Sequence, residues 1–499
     1  MCPPTVTMSS LRLTPRTKSM IKLACGIRLR LTVNPKRPFM STLMSTVWPM
    51  IKFTSTARPM IKLTSTVRPM TKLTSTVWPM TKFTPMPTAT PKTEPRPAIR
   101  LMGPGPAATG LMNAVYFTNW NVNETYFDPE NVEAKGITHA IYAFADIGAD
   151  GTVKPMDLWA DVQKPWSGDT TESGNNAYGC VKRMFILKKR NRNLKTLLSI
   201  GGWTASNGGK FSTMAATEEG RKAFAESAVK LATDWGMDGL DIDWESPKDT
   251  NEAKHLVLLL HECRKALDEY ATAQGQRYRY LLTAATSAGP AHYEIMDLAG
   301  MDKYLDIWNL MAYDFAGGWD TTTGHQANLF MDPDKPESTK ASTHRSVTDY
   351  LGAGIPSKKI NLGVPLYGRS FAKTRGLGAS FQGSDAPEAR QGTWLYRDLP
   401  RPGAKVEYNE KLVASWSYSE DKGELVSYDT VRSTQAKARY ILDQRLGGAF
   451  FWEASGDKSG DDSLVGTMAA SLGSLDDTEN MLEYPNSQYD NIKNCMPGV

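Results

Sequence analysis

Cysteine is scarce in this chain. Five residues, Cys2, Cys25, Cys180, Cys263 and Cys495, are scattered over 499 positions, and an odd count with no close spacing supports neither a disulfide framework nor a zinc site. Within the main part of the chain only Cys180 and Cys263 could pair, and Cys263, set among helix formers, reads better as a small buried apolar residue. No run of 18 or more apolar residues occurs, so no segment reads as a membrane-spanning helix. A cysteine–histidine cluster, a calcium loop and a Gly-rich phosphate cradle are all missing, and no cofactor or metal is implied. Acidic residues are almost absent from the first hundred positions, where Glu94 stands against 17 Lys and Arg. The other 399 residues carry 41 basic and 52 acidic side chains, a formal charge of −11. The basic balance of the whole chain is therefore a property of its leader. The acidic remainder offers phosphate no attraction, and no nucleic-acid partner is expected for it.

The leader is repetitive. Pro recurs at 49, 59, 69 and 79, Met at 50, 60, 70 and 80, and Lys at 52, 62, 72 and 82, with Thr-Ser-Thr between them at 54–56, 64–66 and 74–76. A proline every tenth residue breaks long helices and nothing there supplies a core, so residues 1–105 read as disordered, basic, Thr/Pro-rich low complexity. Two accounts of it stay open: a polycationic arm for cell-wall or membrane anions, or a stretch that has displaced the true N-terminus. Ser19 to Val33 is interrupted by Lys22, Arg28 and Arg30 and makes a poor secretory signal.

From about Asn113 the texture changes. Eight β-rich runs (114–120, 139–146, 194–200, 238–245, 281–287, 305–313, 360–366 and 448–453) alternate with helix-like segments. After the fourth run, Ala253, Leu256, Val257 and Leu260 fall at helical spacing behind Asp249 or Thr250 as N-cap. Eight such alternations imply an α/β fold, a closed (β/α)8 TIM barrel, with reactive groups on the rim at the C-terminal ends of the strands. About 75 residues separate Phe371 from the last strand, too long for an ordinary barrel connection. This stretch, rich in turns and aromatics, reads as a small α+β insertion between strands seven and eight. The expected division is a barrel over 111–370 and 430–475, an insertion over 371–429 and a C-terminal tail over 476–499.

The fourth run carries the chemistry. It reads Asp238-Gly-Leu-Asp241-Ile-Asp243-Trp-Glu245. In a strand, Asp241, Asp243 and Glu245 share one face with about 6–7 Å between successive carboxyls. Three like charges on one face repel unless they share protons or serve a reaction. Asp238 has the other parity, which suits a structural role.

This segment resembles the D-x-x-D-x-D-x-E signature of glycoside hydrolase family 18, the chitinases. Ser199-Ile200-Gly201-Gly202-Trp203 ending strand three, Met311-Ala312-Tyr313-Asp314 ending strand six, Tyr367-Gly368-Arg369 after strand seven and Phe451-Trp452-Glu453 on strand eight agree with it. The resemblance runs from about Asn113 to Asp490 and looks closest to fungal endochitinases with the α+β insertion. It implies retaining hydrolysis of β-1,4-linked N-acetylglucosamine in which the substrate's own acetamide attacks. Glu245 would be the general acid and then the base, its pKa raised by Asp243 and Asp241. Asp243 would hold the acetamide, Asp241 would share its proton, and Tyr313 would meet the acetamide oxygen. Tyr116, Phe144, Trp203, Met311, Asp314, Arg369 and Trp452 would bind substrate, while Asp238, Ser199, Gly201 and Gly202 would be structural. The partners implied are chitin and chito-oligosaccharides, met outside the cell or in the cell wall by a monomer. The Asn123-Glu124-Thr125 triplet is a weak pointer to export. Two positions depart from the family pattern, Ser246 for a usual Tyr and Ala205 for a usual aromatic. On that basis Ala205→Trp is expected to add a stacking platform. Three other readings are a lectin on the same barrel, an endo-β-N-acetylglucosaminidase, and an interaction protein driven by the leader. The intact Glu245 argues against the first, and the Met-Ala-Tyr-Asp motif with the rim insertion against the second.

Overall fold

A computed structural model describes residues 20–22, 28–30, 110–169 and 173–497. In the N-terminal unit, Met20–Lys22 and Arg28–Arg30 pair antiparallel. The rest of the leader, read as disordered, lies outside the described residues.

In the second unit eight parallel strands close into a barrel: Met112–Thr118, His139–Ile147, Lys195–Gly201, Gly239–Asp243, Leu281–Ser287, Ile307–Met311, Ile360–Pro365 and Gly448–Trp452. Closure is made where strand one pairs on both sides, with strand eight through Ala114↔Phe450 and with strand two through Tyr116↔Ile141. The period of two decides what faces where. On strand two, Ile141 and Ala143 enter the barrel interior while Ala140 and Tyr142 meet the outer layer; on strand four, Leu240 and Ile242 face outward among the helices. The helix after strand four, Thr250–Ala273, is capped by Asp249, whose carboxyl accepts the N–H groups of Asn251 and Glu252, both at 2.9 Å. Cys180 and Cys263 are buried free thiols.

Between strands seven and eight lies a separate five-stranded antiparallel sheet, ordered Thr393–Leu395, Tyr367–Phe371, Glu424–Ser427, Ala414–Ser419 and Lys405–Asn409. Its strand Tyr367–Phe371 begins with a single residue, Leu366, between it and the end of barrel strand seven, because Arg369 and Phe371 find partners in Ser427 and Leu425 rather than in a barrel strand. This start lies four residues before the 371 expected from the sequence.

The far end of the barrel is closed by the C-terminal tail. Asp238, just ahead of strand four, is fully buried there and paired with Lys188 Nζ at 2.6 Å. It also accepts the N–H groups of Thr196 at 2.7 Å and Met481 at 2.8 Å and the Tyr278 hydroxyl at 3.0 Å. A buried ion pair needs such extra donors to offset desolvation. Asp238 is thus at the opposite end of strand four from Glu245.

Candidate active site

Strand four delivers its carboxyls to the barrel mouth in order of depth. Asp241 is the deepest, and its environment is saturated. Oδ2 accepts the hydroxyls of Tyr116 at 2.8 Å and Ser199 at 2.7 Å; Oδ1 accepts Thr283 Oγ1 at 2.5 Å and Asn309 Nδ2 at 3.3 Å. These donors come from strands one, three, five and six, all inward-facing. Two hydrogen-bonding groups thus converge on each oxygen of Asp241. Burial raises its pKa, and the four donors pull the other way.

Asp243, one step nearer the mouth, is differently treated. It is buried, and its Oδ1 has no hydrogen-bond partner among the described residues. Burial, then the charges of Glu245 and Asp241, push its carboxyl well above the usual range. A buried acceptor without a donor costs free energy unless a ligand supplies one.

Glu245 sits two residues beyond the strand end, which is Asp243, and not on the strand as the sequence suggested. What aims it is its neighbour. Trp244 turns outward and stacks on Phe211 with centroids 5.1 Å apart and rings 7° from parallel, and the Glu245 N–H donates to Ser206 Oγ at 2.8 Å. The carboxyl is pushed up to about 7 by burial and by the charge of Asp314. The two chain-adjacent aspartates were expected to do this. Asp243 and Glu245 repel each other as a pair, and the charge of Glu245 in turn raises the Asp243 carboxyl.

Asp314 is held in a left-handed backbone conformation, φ 59°, which Asp tolerates better than most residues. It accepts the Tyr367 hydroxyl at 2.7 Å and a two-pronged contact from Arg369, Nε at 2.8 Å and an end nitrogen at 2.5 Å. Arg369 in turn lies over the Trp319 ring, 4.9 Å from its centroid. Tyr313, half-buried between Tyr367 and Phe450, has a hydroxyl pushed well up by burial and by the surrounding oxygens. Met311 ends strand six beside it.

An aromatic wall faces these groups. Trp452 stacks on Phe144 at 5.8 Å, with Tyr116 at 5.3 Å and Trp120 at 6.5 Å. Across the mouth, Trp203 is 64% exposed and Trp319 61% exposed. Gly201 and Gly202 permit the close packing behind Trp203. Both have positive φ; a Cβ on Gly201 would meet the Asp243 carbonyl oxygen at 2.4 Å, and one on Gly202 the Phe144 ring at 2.6 Å.

Ala205 is only 3% exposed inside the short helix Gly202–Asn207, so a Trp there would overpack the helix instead of offering a platform. Ser246 fills its position by bonding His292 Nδ1 at 2.9 Å. Sequence reasoning gave no role to Trp120, Thr283, Asn309, Trp319, Tyr367 or Glu453. Inward strand parity was a usable signal for Thr283 and Asn309; Trp120 and Trp319 sit on loops, where no periodicity marks them. Among the described residues no group of three or more His, Cys, Asp or Glu could hold a metal.

Residues 112–457 match the family described as Glycosyl hydrolases family 18. Over 393 residues the chain is 45% identical to Endochitinase 1 of Metarhizium robertsii, covering 79% of this chain and 92% of that one. It is also 45% identical over 389 residues to Chitinase 1 of Aphanocladium album, with 78% and 92% covered. Among solved structures it superposes on the catalytic domain of a psychrophilic chitinase B from Arthrobacter TAD20 with TM-score 0.67 and 28% identity, covering 74% of this chain and 98% of that one. With the match spanning nearly the whole barrel and its insertion, the chain belongs to glycosyl hydrolases family 18.

Proposed function

We propose that this chain is an endo-acting chitinase that cleaves β-1,4 bonds between N-acetylglucosamine units with retention of configuration. The observation that carries the reading is the contrast on strand four: Asp241 has every acceptor site filled, while the buried Asp243 beside the raised-pKa Glu245 keeps one oxygen unpaired.

An acetamide N–H is the donor that Asp243 lacks. Bound there, the amide oxygen of the same sugar is turned toward its own anomeric carbon, and the Tyr313 hydroxyl can donate to that oxygen. Glu245 gives its proton to the glycosidic oxygen as the bond to the anomeric carbon breaks and the amide oxygen–carbon bond forms. The ring so made is positively charged, and the Asp243 carboxylate lies where it stabilises that charge. Glu245, now ionised, takes a proton from water; the water oxygen replaces the amide oxygen, and both acetamide and acid are regenerated. Inversion occurs twice, so the product retains the β configuration. Trp452, with Tyr116 and Phe144 behind it, serves as a floor for sugar stacking, and Trp203 flanks the leaving group. Met311, Asp314 and Arg369 line the pocket.

The test is substrate class. The protein is expected to cleave chito-pentaose and to leave cello-pentaose, which has the same linkage and no acetamide, untouched; comparable cleavage of both would contradict the reading.

Action outside the cell or in the wall is part of the proposal, because the polymer is insoluble and extracellular. It is supported by the exposed Asn123 of the Asn-Glu-Thr triplet. Protein secreted by a eukaryotic host should carry a glycan there, seen as a mass shift of the Asn123 peptide that N-glycosidase removes. Secreted protein with Asn123 unmodified would count against a route of export that glycosylates this site.

A further inference from the structure

Trp120 stands between two asparagines, and each is gripped by a different carboxyl. Asn119 Nδ2 donates to Asp161 Oδ1 at 2.8 Å, an oxygen that also accepts the Tyr142 hydroxyl at 2.5 Å, while the other Asp161 oxygen accepts the Asp157 N–H at 3.1 Å. Asn121 Nδ2 donates to Glu453 Oε2 at 2.8 Å. Glu453 also accepts the N–H of Ser455 at 2.9 Å and its hydroxyl at 2.6 Å. Asn119, Asn121 and Asp161 are all buried.

The origin of the two carboxyls matters as much as the distances. Asp161 belongs to the segment that follows strand two, the strand carrying Phe144; Glu453 directly follows Trp452. The two clamps therefore reach Trp120 from the same two segments that supply the rings it faces, Phe144 at 6.0 Å and Trp452 at 6.5 Å. A half-buried ring on a loop would lose motional freedom when a sugar stacks on it, and fixing its backbone on both sides beforehand removes much of that cost.

We propose that Asp161 and Glu453 are positioning residues for substrate: acting through Asn119 and Asn121, they hold Trp120 in register with the Phe144–Trp452 wall so that a sugar ring finds a preformed stacking site. This rests on reading the groove as an oligosaccharide site. Neither carboxyl touches the reacting atoms, so the effect falls on binding and not on the chemical step.

The test uses the full chain and chito-hexaose. Asn119→Ala, Asn121→Ala and Glu453→Ala should each raise KM about three- to tenfold, the range for a misplaced stacking platform, with kcat within about twofold. Glu453→Gln keeps an acceptor for Asn121 and the Ser455 N–H and should restore KM. In a Trp120→Ala background the same substitutions should add little further, because the ring they hold is gone. An unchanged KM in a folded Asn121→Ala protein, or a full KM increase on top of Trp120→Ala, would overturn the proposal. Should Glu453→Ala not fold, the two asparagine variants carry the comparison. Hexaose Kd values measured in a Glu245→Gln background give the same comparison without turnover. Failure of the clamp is thereby separated from failure of the chitinase reading, which would show as no hexaose cleavage by the unmodified chain.

Discussion

Glu245→Gln is expected to lower kcat on chito-oligosaccharides by about a thousandfold or more, within or beyond the usual range for loss of a general acid, while substrate still binds. Gln keeps the shape and has no proton to give. The same group sets the alkaline side of the pH profile. With its pKa near 7, the protonated fraction that can act as acid falls as pH rises through 7, and kcat should fall with it. Stability follows the same sign. Glu245 binds its proton more tightly in the folded protein than at the ordinary value of 4.5. Its contribution to stability is therefore complete below 4.5 and is lost progressively as pH climbs to about 7. Gln has no charge to bury, so the variant should melt higher than the unmodified protein above pH 7 and nearly level with it at pH 4. Wild-type turnover by Glu245→Gln, or a variant that melts lower at pH 8, would contradict this assignment.

The second large effect is at Asp243. Asp243→Asn should reduce kcat about a hundredfold to a thousandfold, the scale for losing one electrostatic partner of a developing charge, with a smaller change in KM. Asn still offers an amide oxygen to the substrate N–H, so binding survives, but it has no charge to stabilise the cationic ring. Removing one of two neighbouring buried carboxylates should also raise the melting temperature at neutral pH, since both carry pKa values driven upward in the folded state. Steady-state kinetics with melting curves on the same preparation check both; kcat within threefold of the unmodified chain would remove the electrostatic role.

The barrel was legible because its strands obey period two and its rim residues are chemically unusual. The eight runs read from the sequence fall within two residues of the observed strands at all of their ends. The insertion was visible as an overlong connection, but not its first strand. Tyr367-Gly-Arg-Ser-Phe looks like an extension of strand seven, and only its antiparallel partners in residues 424–427 and 393–395 show otherwise. Position along strand four gave the ordering of the carboxyls. It could not give their electrostatics, which depend on residues distant in sequence: Thr283 and Asn309 saturate Asp241, and Asp314 faces Glu245 from the loop after strand six. Proximity in the chain therefore pointed to Asp243 and Asp241 as neighbours of the glutamate and missed Asp314. Ala205 shows the same limit from another side. A missing aromatic in a pattern says nothing of whether the space it would occupy is open, and here that space is filled by the packing of the helix.

One measurement bears most directly on whether the substrate's own amide does the attacking. Chito-hexaose with N-acetyl groups removed at random can be digested and every new reducing end sequenced by mass spectrometry. If Asp243 orients an acetamide against the breaking bond, each newly formed reducing end should be N-acetylglucosamine, whatever sugar lies on the far side of the cut. Glucosamine at new reducing ends in proportion to its abundance would mean that the nucleophile comes from elsewhere.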